Sequence, residues 1–353
     1  MPSSTSSSEI ARRLPWGLLL GLVLFGAGEQ ALWSRGRALD RIARYTPPGP
    51  DGDPLLVAAA LRSLPAPRPD GPAPLLLLGS SQVREGLDCA AFEAREPGRP
   101  CVNLAISAGS PLDVLAIADA FDARLPRRAV ILGLFPKLMH MPPKAGFVGP
   151  STLGCVFAGG SWRRLAWGDW VALGGGLLER AVPTLRFKDG LAAAWDVVRE
   201  DPRAAWRLEL PPQPRRLLLG LPPQPPGYFA RREGVLDADA PHPGAFTAAQ
   251  EQALEVLIGR EAERGNSVYV IDFPTRPGYE TTLPTETLAH WRALLERLRT
   301  RRAPGLAFIA AGELGPLERR DFQDFTHLSD AGRATVSARL ATRVAGRAGI
   351  HNP

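Results

Sequence analysis

Cysteine is scarce in this chain, three in 353 residues and with no CxxC spacing. A disulfide framework and a cysteine-built zinc site are both excluded. The five histidines show no HxxxH spacing either. Lysine is equally rare: Lys137, Lys144 and Lys188 are the only ones among 42 basic residues. The net charge of +6 is thinly spread. It forms no dense basic patch with interleaved aromatics, so a nucleic-acid partner is not expected. Near the N-terminus lies an uncharged, strongly apolar run, residues 14–28. What is abundant is apolar and loop-forming: 45% hydrophobic residues against 22% charged, with 36 Gly and 36 Pro. That excludes a wholly disordered chain and predicts a real core joined by long loops.

The run at 14–28 follows Arg12-Arg13. Glu29 interrupts it, and Ala31-Leu32-Trp33 extends it toward Arg35 and Arg37. Its extended length approaches the ~20 residues a spanning helix needs. The expectation is a cytoplasmic tail (1–13), an uncleaved signal anchor (14–33) and a body on the exported side of the cytoplasmic membrane. Gly26-Ala27-Gly28 would also suit cleavage of a signal peptide, and a buried core helix is the plainest alternative.

Residues 34–74 form a proline-rich connector with one short helical stretch near 55–64. A regular rhythm follows. Continuous apolar runs at 75–78, 101–106, 129–134, 267–271 and 306–310 read as strands buried on both faces. Helical patterns lie at 83–94, 111–123, 248–264, 286–301 and 329–345. The alternation predicts an α/β fold, a doubly wound five-stranded parallel sheet in order 2-1-3-4-5, with its site at the carboxyl ends of the strands. The sheet domain divides into 75–140 and 246–353. Between them, 141–245 breaks the rhythm. It reads as a long, mostly helical insertion whose tryptophans either pack on the sheet domain or form a lid or membrane-facing surface.

Two segments carry chemistry. The first strand runs into Gly79-Ser80-Ser81-Gln82-Val83-Arg84-Glu85-Gly86, where a Gly permits a tight turn and a hydroxyl opens a helix. Either serine could instead be a simple helix cap. Near the end stands Asp321-Phe-Gln-Asp324-Phe-Thr-His327-Leu. A carboxylate three residues from an imidazole can fix its tautomer and stabilise its charged form. Cys89 and Cys101 flank one edge of the sheet, so they either join in an oxidising compartment or remain buried thiols beside Cys155.

The two segments resemble the first and last blocks of the SGNH (GDSL-like) hydrolase and acyltransferase superfamily. The resemblance implies a flavodoxin-like fold with Ser81 as nucleophile, Asp324 and His327 completing a triad, and no metal or cofactor. Asn103 to Asp113 resembles the second block, so the Ser81 N–H and that of Ala108 or Gly109 would form the oxyanion hole. The family's third block falls on Gly133-Leu-Phe135-Pro136, which lacks its Asn. Losing one such donor costs about 10²–10³ in rate unless Lys137, His140 or an activated acyl donor compensates. The layout is similar to a membrane-tethered branch serving teichoic-acid D-alanylation and alginate O-acetylation. There the 272–279 loop overhangs the site, so Arg276 and Tyr279 either bind a polyanionic or sugar substrate or simply pack the loop. Arg84, one turn after Ser81 and near the site mouth, has the same two readings.

The implied function is an exported serine acyltransferase or esterase acting on O-acyl, expectedly O-acetyl, groups of a cell-surface glycan. Its partner would be that glycan or another acyl-carrying substrate, with a multispanning membrane O-acyltransferase alongside. The alternative is a non-catalytic assembly or glycan-binding subunit of such a complex.

Overall fold

The computed structural model describes residues 27–28, 53–63, 71–122, 124–200 and 244–348. The expected tail, nearly all of the expected anchor, much of the connector, and residues 201–243 of the expected insertion lie outside the described residues. Among the described residues no helix is long and apolar enough to cross a membrane.

The described elements are α1 (Asp53–Ser63), β1 (Leu75–Leu78), α2 (Ser81–Gly86), α3 (Cys89–Arg95), β2 (Cys101–Asn103), α4 (Pro111–Phe121) and β3 (Ala129–Leu134). Then come α5 (Pro150–Ala158), α6 (Trp167–Ala181), α7 (Pro183–Arg186) and α8 (Lys188–Glu200). The chain closes with α9 (Thr247–Glu263), β4 (Ser267–Asp272), α10 (Thr285–Thr300), β5 (Leu306–Ile309) and α11 (Asp330–Ala348). The five strands form one all-parallel sheet in the order β2-β1-β3-β4-β5.

β1 shows why the sheet has two covered faces. All four of its leucines are buried. Leu76 and Leu78 point into a core shared with α1, α4, α9 and α10. Leu75 and Leu77 point into a second core with α2, α3 and α11. Alternation along the strand puts apolar side chains on both faces, each worth about 1.5–3 kcal/mol on burial. Truncating Leu77 to Ala would cost about 2–5 kcal/mol.

Two local features differ from expectation. The helix expected over 83–94 is two helices. Leu87 is extended and Asp88 caps α3, its carboxylate accepting the Ala90 N–H at 2.9 Å. The strand expected over 101–106 ends at Asn103, whose side-chain oxygen takes the Ala105 N–H at 3.1 Å. α1, the helical stretch expected within the connector, packs on the sheet: Leu55, Leu56, Val57 and Leu61 are buried in the first core.

Cys89 and Cys101 are joined by a disulfide. It clasps the start of α3 to the start of β2, and the closed loop contributes about 3 kcal/mol in the chain-entropy account. The described part of the expected insertion is helical and packs on one flank. α5 lies against α4 and α9, and α8 against α1. Phe147, Val156 and Leu173 enter the first core. Its tryptophans divide: Trp170 packs against that core, whereas Trp162, Trp167 and Trp195 are exposed.

Candidate active site

Ser81 is the first residue of α2. Ser80 precedes it in an extended conformation and caps the helix, its hydroxyl accepting the Gln82 N–H at 3.4 Å. The capping reading therefore belongs to Ser80, and Ser81 is left half-buried with its hydroxyl free for another partner. Its N–H, first in the helix, has no acceptor within the helix. Gly79 makes the tight turn. Its φ is +143°, and a Cβ there would meet Val83 at 2.7 Å and the Gly133 carbonyl at 2.8 Å.

The partner hydroxyl bond comes from the far end of the chain. His327 Nε2 lies 2.9 Å from Ser81 Oγ, across 246 positions of sequence. On the other side, His327 Nδ1 lies 2.8 Å from Asp324 Oδ2. A carboxylate only accepts, so Nδ1 carries the proton and Nε2 is the acceptor for the Ser81 hydroxyl. Asp324 is fully buried. Its second oxygen accepts the N–H groups of Thr326 at 2.6 Å and His327 at 2.7 Å. Burial pushes this carboxyl up, but the His327 contact and those two N–H groups outweigh it and hold it below its ordinary value. The loop is pinched shut: Phe322 pairs with Leu328, and Gln323 N–H donates to the His327 carbonyl at 2.8 Å.

Getting this loop to Ser81 requires a crossing. β5 is the sheet edge, and β4 and β3 separate it from β1. Three strand spacings make about 14 Å. The segment between β5 and Phe322 covers it with two short 3₁₀ turns, Ala311–Leu314 and Arg319–Asp321.

The turn after β2 lies against Gly79. A Cβ on Gly109 would meet the Gly79 carbonyl at 2.5 Å, so only glycine fits. Gly109 N–H is already spent on the Ile106 carbonyl at 3.2 Å. Of the two candidate donors, Ala108 is thus the better placed, and it is the one non-glycine residue with positive φ among the described residues, at +47°. Such a conformation in a non-glycine residue is uncommon and points to a held backbone.

What holds that turn was not visible in the motifs. Asp53, the first residue of α1, accepts the Ser107 N–H at 2.7 Å and pairs with Arg84 Nη1 at 3.1 Å. Burial raises the Asp53 carboxyl, opposed by Arg84, Lys144 and Ser107. Arg84 also donates to Ser107 Oγ at 2.6 Å and to Glu85 at 2.9 Å. Its side chain is only 6% exposed. Arg84, expected near the site mouth, is thus buried and paired in this structure. Its terminal nitrogens tie α2 to α1 and to the turn after β2. The sequence held one clue: an acid opening an apolar helix, Asp53 before Leu55.

Arg276 and Tyr279 do lie together, on a cavity of about 420 Å³ that also borders Asp272, Glu280 and Trp291. Arg276 stacks 3.7 Å over the Phe325 ring, two residues from His327. Tyr279 is buried between Phe135 and Phe325, with ring centroids 5.3 and 6.3 Å away. Ser81, His327 and Phe325 do not line the cavity. It is linked to the His327 loop through Arg276, whose N–H also donates to the Phe325 carbonyl at 2.9 Å. Burial, with Glu280 nearby, raises Asp272 to about 6 despite the Ala311 N–H.

The third block contributes packing. A Cβ on Gly133 would meet Val83 at 2.2 Å, so this glycine lets α2 seat on the sheet. His140 faces elsewhere: Nδ1 bonds Thr247 Oγ1 at 3.0 Å, and its ring lies 5.4 Å from that of His290. It is no replacement for the missing Asn. Among the described residues, no group of three or more His, Cys, Asp or Glu side chains is arranged to hold a metal ion. No protein-family model matches the chain, and no curated protein matches it.

Proposed function

We propose that this chain is a serine-dependent acyltransferase or esterase of the SGNH type. The observation that carries the reading is the continuous relay from Ser81 Oγ through His327 to Asp324, at 2.9 and 2.8 Å. Two isolated serines and a loop histidine would have no reason to converge with a buried carboxylate set to orient the imidazole.

In this reading His327 Nε2 takes the Ser81 proton as Oγ attacks the acyl carbonyl. The new Oγ–C bond leaves an oxyanion facing the N–H groups of Ser81 and Ala108. The imidazolium, stabilised by Asp324, protonates the departing oxygen and the ester bond breaks. An acceptor hydroxyl or water then gives its proton to His327 and takes the acyl group; as the Oγ–C bond breaks, His327 returns that proton to Ser81 Oγ. The first turn of α2 and the clamped 104–110 turn supply the oxyanion donors by position, so no side chain from the third block is required.

The finer reading extends from the resemblance. The chain would be anchored by residues 14–33, with its body outside the cytoplasm, and would act on O-acetyl groups of a surface glycan beside a multispanning O-acyltransferase. The disulfide between Cys89 and Cys101 favours an oxidising compartment. A second reading, a non-catalytic subunit of such a complex, is favoured by the absence of an Asn donor over 133–136.

A fluorophosphonate probe separates the two. The first reading expects covalent labelling of the full chain, lost in Ser81→Ala with the thermal transition kept. Unlabelled but folded wild-type protein would sink it and favour the binding subunit.

A further inference from the structure

α6 is apolar on its outward face as well as on its inner one. Its exposed side chains are Trp167, Val171, Ala172, Leu178 and Ala181, interspersed with glycines, and none is charged. Trp167, Val171 and Leu178 are 81%, 55% and 57% exposed. The helix does have charges, but they serve its flanks. Asp169 accepts the Ala166 N–H at 2.8 Å, Glu179 pairs with Lys188 at 2.5 Å, and Arg180 lies against Gly149. The inner face buries Leu173 and sets Gly176 against Val148. A helix apolar on both sides is expected to have both sides covered.

The patch continues beyond α6. Phe157 at the end of α5 is exposed, with ring centroids 6.5 Å from Trp162 and 6.0 Å from Trp170. Arg163 and Arg164 stand beside it, both exposed, with Arg163 5.2 Å over the Trp162 ring. Tryptophans at the border of an apolar face, with arginines next to them, match the headgroup boundary of a bilayer. The rings sit at the interface, and the guanidinium groups meet anionic phosphate.

We propose that this face of α6, with Phe157 and Trp162, lies in the plane of an anionic lipid bilayer. The tether decides for lipid over other occupants. If residues 14–33 span a membrane, residues 34–52 reach at most about 65 Å, so the body stays within that distance of the surface. Tethering turns docking into an intramolecular step, and a modest patch then suffices. The inference rests on the anchored reading for its tether and is independent of the chemistry at Ser81.

The test uses the full chain in vesicles of phosphatidylcholine with a minority of phosphatidylglycerol. A spin label is placed at Leu178→Cys or Val171→Cys, and at Arg320→Cys as an exposed control. Labelling is confined to the new cysteine, because Cys89 and Cys101 are bonded and burial pushes the Cys155 thiol up to about 11. Flotation reports attachment, and collision with oxygen against a water-soluble nickel chelate reports depth. The expected result is flotation, with an oxygen-to-nickel ratio several-fold higher at 178 and 171 than at 320. Flotation with equal ratios would leave the anchor standing and overturn the face. Labels shielded from both reagents would overturn it in favour of a protein partner, a second copy or residues 201–243. Failure to float would overturn face and anchor together.

Discussion

At the amino ends of β3 and β4, buried charges are paired with one another. Arg128 is fully buried; it pairs with Glu261 and with Asp122 at 2.6 Å and donates to the Leu125 carbonyl at 2.5 Å. Asn266 closes the ring, donating to Glu261 at 2.8 Å and accepting the Arg128 N–H at 3.1 Å. Arg264 adds a further contact to Asp122 at 2.8 Å. At the carboxyl ends the arrangement is different. Asp324 spends its oxygens on one loop and leaves His327 turned to a half-buried hydroxyl. Asp272 borders a cavity with no ion-pair partner among the described residues. The same sheet thus carries a network of paired buried charges at one end and partly open polar groups at the other. Closed networks hold a fold together; groups kept available for a substrate cannot all be satisfied beforehand.

The largest expected effect tests the open end. Asp324→Asn keeps an oxygen for the N–H groups of Thr326 and His327 but no longer selects the Nδ1–H tautomer. Its rate of ester turnover or probe labelling should fall by about 10⁴ with little change in melting. A fall of under about tenfold would show that Asp324 does not orient His327.

Glu261→Ala tests the closed end. It leaves the Arg128 guanidinium buried with one carboxylate fewer and should destabilise by about 3–5 kcal/mol in chemical denaturation. The labelling rate of the protein still folded should not change. A loss under about 1 kcal/mol would mean that Asp122 suffices and the ring is redundant.

Asp53 links the two behaviours, a structural ion pair that positions a reactive turn. Asp53→Ala frees the Ser107 N–H and Arg84, and should slow labelling by up to about 10²–10³, the cost of one misplaced oxyanion donor. Asp53→Asn keeps an acceptor for Ser107 and should recover part of the rate. Equal rates in both variants and wild type would remove Asp53 from the positioning role.

The smallest effect contrasts the two carboxylates by pH. Asp272 is raised from 3.8 to about 6, so the folded state binds more protons than the unfolded one across that window. Stability should therefore decline as pH rises from 3.8 to about 6, by no more than about 3 kcal/mol. Asp324 is lowered and works the other way: its contribution is present above its ordinary value and is lost on acidification. Urea unfolding of Asp272→Asn across the window should lose the Asp272 slope. An unchanged slope would assign it to another group.

Much of the scaffold was legible beforehand because it is written in contiguous residues. Four successive leucines in β1 announce a strand covered on both sides, and the paired blocks around Ser81 and Asp324–His327 stand out by type and spacing. Less legible were features that depend on remote partners. Arg84 follows Ser81 by about one helical turn, which suggested the mouth of a site, but Asp53 and Ser107 draw it inward from 31 and 23 positions away. The break between α2 and α3 has no proline to mark it in 83–94; its signals are Gly86 at the end of α2 and a capping Asp88. The apolar outward face of α6 was equally hidden, since an apolar helix pattern does not say which side meets the core.

Sequence by itself determined the alternation of strands and helices, the capping serine beside a second serine, and the short spacing of Asp324 and His327. Each of these rests on propensity or on neighbours within a turn or two. Tertiary structure alone decided that the Asp324 loop passes two strands to meet Ser81 and that Arg84 ties α2 to the turn after β2. Those outcomes depend on strand order and on contacts between distant elements, which no local pattern of residues encodes.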